Sequence, residues 1–122
     1  MKLSQPLTVV IRIPNVALSR SDLDTSLKLQ VDRYEPSSRL AYVQIDNGDD
    51  EDQWAALLDL IRSIGAVIPG LLAKGEIGRP SVDVAMVFPD SLMAKYLTIP
   101  ADVVVAAGEA GMGIEVSVYR GE

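Results

Sequence analysis

Apolar side chains alternate with polar ones through three stretches of the chain and recur at helical spacing through two others, and these periodicities set the expected elements. Leu7 to Ile13 is β-branched and nearly continuous, which predicts a well-buried strand bracketed by Pro6 and Pro14. Arg39 to Asp46 alternates, with Leu40 and Tyr42 on one side and Ala41, Val43 and Ile45 on the other, and Asn47-Gly48 turns the chain after it. Ser81 to Phe88 sets Val82, Val84, Met86 and Phe88 on one face. Ile114 to Tyr119 is the most regular: Ile114, Val116 and Val118 point inward, Glu115, Ser117 and Tyr119 outward, as in a sheet with one wet face.

Asp49 to Ile64 is the principal predicted helix. Trp54, Leu57, Leu58, Ile61 and Ile64 form a core-facing stripe, and acids crowd the first turn, where they complement the positive end of the helix dipole. Gly65 weakens its end and Pro69-Gly70 breaks or kinks the next stretch, leaving one further turn over Leu71 to Lys74. A second helix opens with Pro100 in its first turn, shows a face of Val103, Val104, Ala107 and Ala110, and stops at Gly111 and Gly113. Ser21-Asp22-Leu23-Asp24 offers the start of a short helix, with Leu23, Leu27 and Val31 on one side. Tyr34 to Ser38, with Pro36 and paired serines, reads as a loop. The order strand, short helix, strand, long helix, strand, helix, strand predicts an α+β fold. The expected architecture is a two-layer sandwich of about four mainly antiparallel strands with helices packed on one face, residues 1–122 forming one domain.

Charge narrows the function. Seventeen acidic against eleven basic residues give a net charge of −6, and the bases are scattered singly, which argues against nucleic acid as a direct ligand. An acidic surface suits a basic protein partner, because complementary potentials speed encounter and fix orientation. Histidine and cysteine are absent, which removes disulfides, thiol nucleophiles, imidazole bases and the usual zinc, haem and iron–sulfur ligation. The expectation is a protein that is not an enzyme and needs no cofactor. No apolar run reaches the ~18 residues of a membrane span, and a cytoplasmic location is expected.

The densest chemical feature is Asp46-Asn47-Gly48-Asp49-Asp50-Glu51-Asp52, five acids within seven residues. One reading is a solvated helix start, with Asp49 or Asp50 as the cap and the rest complementing the dipole. Capping accounts for one or two acids and not for five, so the functional reading is an anionic prong that enters a basic cleft, carried by Asp46, Asp49, Asp50, Glu51 and Asp52. A calcium loop is the third reading. It fails the EF-hand spacing, since Gly48 falls at a ligand position and no Glu lies twelve on from Asp46, so no metal site is assigned. Gly108 to Gly113 contains Gly-x-x-Gly-x-Gly, but it comes after a helix, so a phosphate there would meet the wrong end of the dipole. Trp54 belongs to the core stripe, whereas Arg12, Tyr42 and Tyr119 are candidates for an exposed sheet face, where arginines and aromatics anchor interfaces.

Trp54-Ala55-Ala56-Leu57-Leu58 into Ile61, Val82 to Phe88, Leu97 to Asp102, Ala106-Ala107-Gly108 and Gly113 to Tyr119 together form a recurrent layout. In these residues the chain resembles a bacterial domain-of-unknown-function family, number four-two-seven-nine. That family's Gly after the first strand and the Leu-Gly closing its first helix are missing here. No catalytic position is carried over by the resemblance. What it implies is an analogy of class: small acidic domains of this sort are often immunity proteins encoded beside bacterial toxins. The expected function is therefore a non-catalytic protein-binding domain, an immunity protein that neutralises a basic toxin by occluding its active site. The alternatives are a small regulatory or ligand-binding module with a pocket between sheet and helices, and a homodimeric structural domain joined through edge strands.

Overall fold

Strand periodicity of two and helix periodicity of 3.6 direct the apolar side chains to a single layer between sheet and helices. The computed structural model describes residues 8–45, 52–91 and 93–121. In chain order its elements are β1 (Thr8–Ile13), α1 (Arg20–Leu27), β2 (Arg33–Glu35), β3 (Leu40–Gln44), α2 (Gln53–Gly65), α3 (Ile68–Ala73), β4 (Ser81–Pro89), α4 (Ala101–Glu109) and β5 (Gly113–Gly121). The strands form one sheet in the order β2-β3-β1-β4-β5. β1 lies at its centre, antiparallel to both β3 and β4, and β2 is antiparallel to β3.

Two features differ from the four-stranded, mainly antiparallel expectation. The sheet has five strands, and β4 and β5 pair in parallel, from Ser81 opposite Gly113 to Pro89 opposite Gly121. The parallel pair results from connectivity, since the chain leaves β4, crosses through α4 and re-enters in the same direction, as a helical crossover requires. The added strand, β2, lies partly within the stretch read as a loop. Only its three residues pair with β3, across a connection that ends at Arg39 with φ +57°, and three residues are too few to show a period.

The helices start and stop for local reasons. Ser19, two residues before the expected start, caps α1 by accepting from the Asp22 N–H at 3.1 Å, and Lys28 ends it in the left-handed region at φ +60°. Asp24 then secures the exit, its Oδ1 accepting from the Val31 N–H at 2.9 Å. In α2 the predicted stripe is buried at Trp54, Leu57, Ile61 and Ile64, with Leu58 partly so. Pro69 lies in the first turn of α3, where its missing N–H costs no helical bond. Gly65 permits the close approach of α4: a Cβ built there lies 3.1 Å from the Ala110 Cβ. Val103 and Ala107 of α4 and the adjacent Ala110 are buried, whereas Val104, expected on the same face, is exposed.

One hydrophobic cluster joins both layers. Val9, Ile11 and Ile13 of β1, Ala41 and Val43 of β3, Ile45, and Val82 and Val84 of β4 meet Leu23, Leu27, Trp54, Leu57, Ile61 and Ile68 from the helices. These strand positions share one side of the sheet, so the helices cover that side. Coverage fails at β5. Val116 and Val118 have the predicted inward parity but are 49% and 59% exposed, because β5 is an edge strand and α4 packs towards α2 instead of out over it. Among the described residues no helix is long and apolar enough to cross a membrane.

Candidate partner-binding surface

Because the helices take one face of the sheet, the alternate positions of every strand present the other. The register places Val10 and Arg12 of β1, Tyr42 of β3, Ser81, Asp83 and Ala85 of β4, and Glu115, Ser117 and Tyr119 of β5 on that open face. Arg12, Tyr42 and Tyr119 thus share one surface, although Tyr119 stands near the far end of β5.

A polar chain crosses this face. The Arg12 guanidinium lies 3.0 Å from Asp83 and 3.5 Å from Glu115, bridging from the central strand to the edge. The Ser117 hydroxyl donates to the other Asp83 oxygen at 2.8 Å. Both Asp83 oxygens are therefore engaged, which suits a positioning role better than proton transfer. On the opposite flank Arg33 pairs with Glu35 at 2.8 Å and sits 5.7 Å above the Tyr42 ring, within cation–π range. Between Tyr42, Arg79, Ser81 and Glu115 runs an open groove of about 560 Å³. A second, of about 640 Å³, lies between α2 and α4, where Arg62, Asp102, Val105 and Glu109 line it. Neither brings together a nucleophile, a base and an anion-stabilising donor set. Alternating charges with an aromatic among them are instead suited to docking a polar protein surface.

The acidic cluster fares unevenly. Asp46, Asp49, Asp50 and Glu51 lie outside the described residues. Asp52 is the N-cap of α2, and its Oδ1 accepts from the Trp54 N–H at 2.9 Å. This corrects two expectations: the cap is Asp52 and neither Asp49 nor Asp50, and the helix begins at Gln53, so its first turn holds no acid. The physical reason is the extended backbone of Asp52, φ −81° and ψ 110°, from which a short carboxylate reaches back over the first turn.

β3 ends at Gln44, and buried Ile45 is the last described residue before the acidic cluster. β3, β4 and β5 all run opposite to β1, so their carboxyl ends gather at one end of the sheet. The β4–α4 connection starts at that end too and exposes Met93 and Tyr96. Three bonds hold the ends of β4 and β5 together with this connection: Asp90 N–H to the Gly121 carbonyl at 3.1 Å, Arg120 to Asp90 at 3.2 Å, and the Lys95 ammonium to the Val87 carbonyl at 2.7 Å.

The sequence did not point to Asp83 and Glu115 as partners of Arg12, nor to Ser117 as a donor to Asp83. A signal existed: Asp83 interrupts an otherwise apolar strand at an outward position, and an acid there needs a counter-charge across the sheet. No protein-family profile, no curated protein and no solved structure matches the chain.

Proposed function

We propose that this chain is a non-catalytic protein-binding domain whose partner is a basic protein. The observation that carries the reading is the concentration of five of seventeen acids between residues 46 and 52, of which the helix cap accounts for Asp52 alone. Asp46, Asp49, Asp50 and Glu51 supply an anionic segment that follows β3 in the sequence, and exposed Met93 and Tyr96, on a connection that starts at the end of the sheet where β3 stops, add apolar contact. In its more specific form the domain acts stoichiometrically as an immunity protein, covering the basic active-site cleft of a bacterial toxin. Carboxylates inserted into such a cleft pair with the Arg and Lys that otherwise bind substrate.

The test reverses three charges while sparing the cap. Tagged native protein and the variant Asp49→Lys, Asp50→Lys, Glu51→Lys are used side by side for affinity capture from the source organism. The native chain retains one basic protein in stoichiometric amount and loses it at high salt, and the variant binds that protein at least about tenfold more weakly. Equal retention by both proteins contradicts the reading.

A further inference from the structure

The sheet ends in two edges, and among the described residues β5 is the one left open. Nine residues long and paired to β4 without a skipped position, it offers about 30 Å of straight outer backbone. Its exposed side chains include Val116, Val118 and Tyr119. Several of the usual edge protections are missing: Gly113–Gly121 contains no Pro, no Lys and no bulge, and its charges are limited to Glu115 and Arg120.

We infer that β5 is the interface through which two copies of this chain associate, pairing antiparallel about a two-fold axis at Ser117 to make one continuous ten-stranded sheet. The choice of a second copy rests on self-complementarity. With Ser117 opposite itself all nine residues pair, Gly113 meeting Gly121, Glu115 meeting Tyr119 and Val116 meeting Val118 of the other copy. Exposed valines then face one another on the helix side of the sheet. Shifting the axis to Val118 sets Val116 against Arg120 and leaves the ends of the strand unpaired.

Charge supports the same arrangement. An acidic chain repels its own copy over most approaches, but this strip is nearly neutral. The side of α4 turned away from the α2 groove carries Val104 and Gly108, and β5 itself holds one acid, Glu115, and one base, Arg120. Pairing about Ser117 brings each Arg120 opposite Ile114 of the other copy, beside the point where α4 ends in Glu109. A cation is favourable there, at the negative end of a helix and next to an acid. The strand strip contributes roughly 300 Å² from each copy, and Val104 with Tyr119 extends it towards the lower limit for a specific interface, about 500 Å² a side. The association is therefore reversible on dilution. It is independent of the acidic segment and of the function proposed above.

Sedimentation across a concentration series tests the interface, with Val118→Lys as the disrupting variant and Ser37→Lys, exposed beside the opposite edge, as the control for added charge. The native chain and Ser37→Lys dimerise with the same midpoint, whereas Val118→Lys moves the midpoint up by at least about tenfold. The native sequence contains no cysteine, so Ser117→Cys reports the register directly. Antiparallel partners stand about 4.5–5.5 Å apart at Cα, within disulfide reach, and mild oxidation gives a covalent dimer. A chain that stays monomeric throughout, a dimer indifferent to Val118→Lys, or Ser117→Cys that does not cross-link overturns the inference. So does a monomer whose β5 is covered only when a partner's peptide is added.

Discussion

The two edges of the sheet are built by opposite rules. β2 is three residues long and charged at both ends, with Arg33 held by Glu35 and laid over Tyr42. Nothing about it invites another strand, because a short charged edge offers little backbone and penalises burial. β5 is three times as long and presents valines where the inner strands of the same sheet bury theirs. One sheet thus carries one blunted edge and one open edge. The difference lies not in the period of the sequence, which is as regular at β5 as at β4, but in what covers each strand.

The sharpest way to break that comparison is to place the same charge on an inner and an outer valine of equal parity. Val84 is 1% exposed and Val118 59%. Val84→Lys puts an unpaired ammonium in the core and costs more than about 4 kcal/mol, enough to unfold most small domains. Val118→Lys in the dilute monomer changes stability by less than about 0.5 kcal/mol. Thermal or denaturant melts of the two variants check this, and similar losses at both sites contradict the account of the open edge.

Smaller effects sharpen the picture of the open face. Asp83→Ala removes the acceptor shared by Arg12 and Ser117 and destabilises the fold by about 1–2 kcal/mol. Denaturant unfolding measures that loss, and added salt diminishes the part due to the ion pair. Asp52→Ala costs about 1 kcal/mol through the lost cap, whereas Asp52→Asn keeps most of it. Melting both variants separates the capping acid from the four before it, whose removal leaves α2 capped. At the blunted edge, Arg33→Ala costs at most about 0.5 kcal/mol, since its ion pair is largely exposed, and leaves the monomer–dimer midpoint unchanged.

Much of the fold was legible because period and parity are local. The stripe of α2, the alternation of β3 and β4, and the inward parity of Ile114, Val116 and Val118 are all readable from spacing alone. Coverage is a tertiary property, and so the exposure of Val116 and Val118 was not legible. β2 was hidden by its length, and its pairing depends on a turn at Arg39 that no pattern of apolar residues records. The parallel β4–β5 pair was accessible in principle, since a helix between two neighbouring strands brings the second back in the same direction. For the candidate site, the sequence pointed to Arg12, Tyr42 and Tyr119 on one face, and they are there. It did not show that Arg12 reaches Asp83, seventy-one residues away, because only the strand order brings them together.

Amide hydrogen exchange, measured residue by residue in dilute and concentrated solution, compares the two edges in one experiment. In the dilute chain the outward amides of β5 exchange freely while those bonded to β4 are slow. On concentration the outward amides of Gly113–Gly121 slow as well, and those of Arg33–Glu35 do not change. Unchanged exchange along β5, or slowing at β2 in its place, contradicts the account.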